Sequence, residues 1–152
     1  MPHKNIDLKI RLCELEDFSF VFNLVRTLWP HLTFNFEDYK KVYRQALESE
    51  IHKSIVALIN NQIVGFCSLS ITNNLWHAGS LGQIDVLVVD ETIRGHGIGR
   101  ELINQITVIA IQNECKVIEL DSAFHRTEAH NFYEKLGYQK LGYLFSKTLN
   151  TD

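Results

Sequence analysis

The stretch Ile84 to Arg100, reading IDVLVVDETIRGHGIGR, constrains the fold more than any other part of the chain. Its first six residues form a valine-rich apolar run, as expected of a strand buried on both faces. Asp90, Glu91 and Thr92 break the run, and Arg94-Gly95-His96-Gly97-Ile98-Gly99-Arg100 then leads into an amphipathic pattern. The order is strand, glycine-rich loop, helix. Such a loop aims several backbone N–H groups at one point, with the positive end of the helix dipole behind them. It therefore suits an anion, most often a phosphate. A Cβ would hold the phosphate away from the backbone, and some of these positions call for positive φ, so glycine fits.

Two common phosphate motifs fail. No Gly-Lys-Ser/Thr follows, so the P-loop pattern is absent, and the spacing GxGxG is not the dinucleotide fingerprint GxGxxG. The pattern [Q/R]-x-x-G-x-[G/A] does fit, filled by Arg94, Gly97 and Gly99 after a valine-rich strand. This resembles the acetyl-CoA pyrophosphate loop of the GCN5-related N-acetyltransferase (GNAT) family.

The rest of the chain agrees with one α/β domain spanning 1–152, long enough for a real core. A net charge of -3 with no run of Lys or Arg gives no reason to expect nucleic acid as a partner. No apolar stretch approaches the ~20 residues that span a bilayer, so no membrane association is expected. Met1-Pro2-His3-Lys4-Asn5 lacks the hydrophobic segment of a signal peptide. Cys13, Cys67 and Cys115 show no metal spacing and read as reduced thiols of a cytoplasmic protein. No metal is expected.

Periodicity predicts a half-buried strand over Ile6–Leu12 and a helix carrying Phe18, Val21, Phe22, Val25 and Leu28, opened by Asp17 and stopped by Pro30. A second helix carries Phe36, Tyr39, Tyr43, Ala46 and Leu47. Ser54–Ile59 and Gln62–Thr72 read as a hairpin turning at Asn60-Asn61, and Asn73–Leu81 as a loop holding Trp76 and His77. The helix after the glycine loop ends near Asn113, and Val117–Asp121 is a strand, so strand, helix and strand predict a right-handed parallel crossover. Thr127 is placed to cap a short helix, with Gly137 just past its end, and Tyr138–Leu149 is expected to supply one or two closing strands. The expected fold is a mixed sheet of six or seven strands with about four helices on both faces.

A second signature strengthens the resemblance. Ala129, Phe132, Tyr133, Gly137 and Tyr138 fill the A-x-x-F-Y-x-x-x-G-[FY] segment of the same family, about thirty residues after the glycine loop. Arg126 departs from the pattern, standing where many members carry Asn. Leu75-Trp76-His77, Gly82-Gln83-Ile84 and His125-Arg126 resemble the small-molecule branch, such as the aminoalkylphosphonate acetyltransferases.

The resemblance implies direct attack of an amine on the thioester of acetyl-CoA. Backbone groups from Arg94, Gly95, His96, Gly97, Ile98, Gly99 and Arg100 would hold the pyrophosphate. Leu87, Val88 and Val89 would line pantetheine as an added strand, with Leu87 or Val88 donating to the oxyanion. Tyr133 is the candidate acid toward the cofactor sulfur, although its place on an apolar stripe equally suits a core aromatic. Asp85 is the candidate base, because a carboxylate in an apolar strand needs a task or a partner; a wet strand end would account for it as well. Asp121, His77 or a water chain could replace it. The expected function is N-acetylation of a primary amine on a small molecule, with acetyl-CoA as co-substrate and a homodimer compatible with that role. Alternatives are a protein or peptide acetyltransferase, a non-catalytic acyl-CoA binding module, or a nucleotide binder with Asp121 on a ribose.

Overall fold

The computed structural model describes residues 6–150. The chain divides into two compact units, Met1–Leu120 and Asp121–Asp152.

The first unit is one five-stranded sheet in the order β1 to β5: β1 (Leu8–Leu12), β2 (His52–Ile59), β3 (Gln62–Asn74), β4 (Gly79–Val89) and β5 (Cys115–Leu120). Neighbours up to β4 are antiparallel, and β4 pairs β5 in parallel. Asn60 and Asn61 turn the β2–β3 hairpin with φ of 50° and 61°, the left-handed pair that matches strand twist. Strands β3 and β4 run longer than periodicity predicted, so the expected Asn73–Leu81 loop shrinks to a hairpin tip between Asn74 and Gly79. Cross-strand pairing decides this, as Thr72, Asn73 and Asn74 each find partners in β4.

One face of the sheet carries α1 (Phe18–Arg26) and α2 (Phe36–Glu48). Phe18, Val21, Phe22 and Val25 of α1 and Tyr43 of α2 pack there on Val56, Phe66 and Val88. Helix α3 (Ile98–Gln112) lies on the opposite face with Leu102, Ile103, Ile106 and Ala110 buried. A Cβ on Gly65 of β3 would stand 3.0 Å from Leu102, so the missing side chain brings α3 close. Asp17 stands at the N-cap position of α1 as expected, but its side chain makes no capping hydrogen bond there. Its buried carboxylate instead accepts two hydrogen bonds from Arg11, at 2.7 and 2.9 Å, and one from the Glu14 amide at 2.8 Å. The Tyr43 hydroxyl donates to the Glu14 carbonyl at 2.6 Å, tying β1, this turn and α2 together. The cysteines are free thiols, and burial pushes Cys13 up to about 12 and Cys67 higher still, so both stay protonated at neutral pH.

The second unit holds α4 (Thr127–Lys135). Arg126, not Thr127, occupies its cap position, and Gly137 follows the helix at φ 92° as expected of a C′ glycine. The expected closing strands are absent: residues 139–150 carry no regular element, and the count among the described residues is five strands rather than six or seven. Tyr143, Leu144 and Phe145 are consecutive apolar residues, so no alternation selects one face for burial, and all three are exposed. No helix among the described residues is long and apolar enough to cross a membrane.

Candidate active site

The expected loop geometry is present. Strand β4 ends at Val89, and the Asp90 carboxylate caps a single 3₁₀ turn, Glu91–Ile93, by accepting from the amide of Thr92 at 2.9 Å and its hydroxyl at 2.8 Å. Those hydrogen bonds hold the Asp90 carboxyl below the ordinary carboxylate range, the Thr92 amide contributing most. Gly95 and Gly97 follow with φ of 86° and 79°, and Gly97 is the N-cap of α3. No atom lies within 4 Å of a Cβ built on either glycine, so the backbone there is open to a ligand. Ile98 is buried and anchors the helix start. The side chains of Arg94 and His96 are engaged with the chain: Arg94 Nε donates to the Val89 carbonyl at 3.2 Å, and His96 Nδ1 to that of Ile93 at 3.0 Å. The first unpaired N–H groups of α3 thus sit behind an exposed glycine loop.

Strand β4 brings a second feature to the same place. Its parallel ladder with β5 begins at Ser80 and ends at Ile84 opposite Leu120, whereas β4 continues to Val89 on its β3 side. Leu87, Val88 and Val89 therefore pair with Cys67, Phe66 and Gly65 while the ladder toward β5 has stopped. That leaves a strand edge able to pair with an extended, amide-bearing chain.

Asp85 sits at the point of divergence. It is not at a strand entrance but in mid-strand, as the extra residue of a β-bulge: Val86 faces Ser68 and Ile84 faces Leu69, and Asp85 has no counterpart on β3. Its side chain is exposed, and Oδ1 accepts from Ser70 Oγ at 3.2 Å. The other candidates fall into place separately. His77, at the hairpin tip, lies 3.2 Å by Nε2 from Glu119 Oε1 of β5. Asp121 is an exposed residue of the second unit. Tyr133 lies half-buried on α4 of that unit, with ring centroids of Phe132 and Tyr138 at 5.2 and 5.8 Å and its carbonyl accepting from the Tyr138 amide at 3.1 Å. Ser70 and Glu119 went unnoticed in the sequence. Serine in a strand carries no signal, and Glu119 meets His77 only through pairing of β4 with β5.

Residues 18–138 match the model of the acetyltransferase (GNAT) family. The chain belongs to the GNAT family. Among its relatives, the aminoalkylphosphonate N-acetyltransferase of Salmonella typhimurium is 35% identical over 103 residues, covering 68% of this chain and 66% of that protein. The glucosamine 6-phosphate N-acetyltransferase of Trypanosoma brucei brucei is 30% identical over 138 residues, 88% of this chain and 90% of the relative. The N-alpha-acetyltransferase 30 of Dictyostelium discoideum is 32% identical over 104 residues, 68% of this chain and 55% of the relative. In fold, an aminoglycoside N-acetyltransferase solved in complex with CoA superposes with a TM-score of 0.86 at 16% identity, covering 99% of both chains. The sheet and helices described above are accordingly the GNAT fold.

Proposed function

We propose that this GNAT-family chain, acting as one domain over 1–152, transfers the acetyl group of acetyl-CoA directly to a primary amine of a small molecule. The observation that carries the reading is the continuity of β4. One strand runs from a bulged carboxylate, along an edge whose parallel ladder has ended, into a loop of two left-handed glycines at a helix N-terminus. Pyrophosphate would be held by the backbone amides of Arg94 to Arg100, and pantetheine by Leu87, Val88 and Val89. In this mechanism Asp85 takes a proton from the acceptor's ammonium, directly or through water, so that the free amine attacks the thioester, a backbone N–H of Leu87 or Val88 stabilises the oxyanion, and Tyr133 returns a proton to the departing CoA thiolate. The reading places the enzyme in the cytoplasm, where its three free cysteines stay reduced.

The small-amine acceptor is favoured by two of the relatives, whose names specify an aminoalkylphosphonate and a glucosamine phosphate. A protein N-terminus is the second reading, favoured by the Dictyostelium relative. The test follows thiol release from acetyl-CoA with 2-aminoethylphosphonate, glucosamine 6-phosphate, ethanolamine and short peptides with free N-termini. Turnover confined to the small amines is expected. Turnover confined to the peptides would move the acceptor class, and CoA binding without turnover on any of them would sink catalysis of both kinds.

A further inference from the structure

A row of polar side chains crosses the sheet on its α1–α2 face. Pairing aligns His52 of β2 with Ser70 of β3, Ser70 with Gln83 of β4, and Gln83 with Glu119 of β5. Their face is fixed by neighbours at alternate positions: Phe66 lies in the core under α1, four residues before Ser70, and Val56 lies there four residues after His52. Ile118, beside Glu119, instead approaches Gly82 on the opposite side, with 3.6 Å from its Cγ1 to a Cβ built on that glycine. Two rows further along the same face, Val56, Phe66 and Val88 are wholly apolar and almost fully buried. The residues of the polar row are only partly buried, so they stand at the rim of that core rather than within it.

The row is also next to the bulge. Ser70 donates to Asp85, so the Asp85 carboxylate reaches this face, and Glu119 lies one strand over, about 4.8 Å in backbone spacing, at the last-but-one pair before β4 and β5 part. Glu119 is held from the other side. A carboxylate only accepts, so His77 Nε2 carries the hydrogen in their 3.2 Å contact. His77 itself is fixed by its amide donating to Asn74 Oδ1 at 2.9 Å, and Lys116 Nζ ties the same loop to β5 by donating to the Ala78 carbonyl at 2.8 Å. Glu119 nonetheless keeps 43% of its side-chain surface exposed, so one imidazole does not exhaust its accepting capacity.

Resting on the small-amine reading above, we infer that Glu119, oriented by His77, is the specificity-determining carboxylate that binds the acceptor as an ammonium ion beside Asp85. An alkylamine with a pKa of about 10 arrives protonated at neutral pH. Two carboxylates on one face, with Gln83 opposite Glu119 and Ser70 beside Asp85, can hold its N–H groups, and charge-assisted hydrogen bonds are the stronger kind. Asp85 then takes the proton, while Glu119 retains its contact through binding. The role of Glu119 is therefore in acceptor affinity rather than in the chemical step, and His77 is a positioning residue.

The test uses whichever of 2-aminoethylphosphonate, glucosamine 6-phosphate and ethanolamine the wild type acetylates fastest. Glu119→Gln keeps size and removes charge. It should raise KM for that amine about 10- to 100-fold, with kcat, CoA affinity and melting temperature nearly unchanged. His77→Ala should raise the same KM by a smaller factor, and His77→Gln, whose amide can still donate to Glu119, should recover most of it. An unchanged amine KM in a folded Glu119→Gln enzyme overturns the inference and leaves the small-amine reading standing. A fall in kcat at constant KM also overturns it, by making Glu119 part of the chemistry. Failure of the wild type to turn over any of the three amines removes the small-amine reading and this inference with it.

Discussion

Gly97 offers a clean separation of folding from ligand binding. Its φ of 79° and ψ of 7° place it in the left-handed region at the N-cap of α3, and nothing surrounds a Cβ built there within 4 Å. A side chain at 97 therefore meets no steric wall in the folded protein, and its cost is conformational. For an ordinary L-residue that cost is about 1–2 kcal/mol, and valine is worse because it is β-branched. In a chain of this size each kcal/mol lowers the melting temperature by roughly 2–4 °C, so Gly97→Ala should melt about 2–8 °C lower. Gly97→Val should lose more. Asparagine tolerates this conformation, and Gly97→Asn should melt close to wild type. Binding should not follow that order. Any side chain at 97 keeps the pyrophosphate from the loop amides, and loss of one hydrogen bond to a charged group is worth about 1.5–3 kcal/mol. CoA affinity in Gly97→Asn should thus fall about 10- to 150-fold. Calorimetry with CoA and thermal melting on the same preparations decide the matter. A Gly97→Asn protein with wild-type stability and wild-type CoA affinity refutes the loop as the phosphate site.

Asp85→Asn should reduce kcat/KM by about 10²–10⁴-fold, most on the acidic side of the pH profile, because an amide cannot accept the proton; a normal profile would transfer the role to Asp121, His77 or water. Tyr133→Phe keeps the ring contacts with Phe132 and Tyr138 and should lower kcat by roughly 10–10³-fold at unchanged melting temperature. Normal kcat there, with a stability loss only in Tyr133→Ala, would make it a packing residue. Asp17→Asn should destabilise by about 1–3 kcal/mol at pH 7, since it weakens the paired hydrogen bonds from Arg11. The Arg11 hydrogen bonds, with the Glu14 amide assisting, hold the Asp17 carboxyl below its ordinary range. A folded-state pKa below the unfolded one, about 4, gives stability that is complete above that value and lost as pH falls through the folded one. The melting-temperature gap between wild type and Asp17→Asn should therefore narrow in strong acid, and a constant gap from pH 7 to 2 would argue against the ion pair.

What the sequence made legible was local. Asn60-Asn61, the glycines at 95 and 97, and Gly137 all adopt the backbone conformations their residue types favour, and the amphipathic stripes of α1, α2 and α3 face the core. What was not legible depends on partners distant in the chain. The bulge at Asp85 exists only relative to Ser68 and Leu69, and the end of the β4–β5 ladder only relative to Leu120. His77 and Glu119, 42 positions apart, meet because a parallel crossover brings β5 beside β4. Closing strands were expected over Tyr138–Leu149, but the consecutive apolar residues Tyr143, Leu144 and Phe145 lack the alternation that specifies a strand face.

The bulge at Asp85 also changes how substitutions along β4 must be compared. Ile84 pairs with Leu69, whose side of the sheet is that of Gly65 and α3, whereas Val86 and Val88 pack into the core beneath α1. Even-numbered positions therefore belong to one hydrophobic layer before residue 85 and to the other after it. A chain lacking Asp85 would close this ladder into regular pairing, with Ile84 and Val86 still opposite Leu69 and Ser68. Its downstream strand would keep both layers and the glycine loop its place, and what it would lose is the carboxylate and the extra local twist that the bulge supplies. The natural place for a one-residue gap in β4 is thus Asp85 itself, whereas a residue added or removed elsewhere in the strand, with no bulge to absorb it, would exchange the two layers.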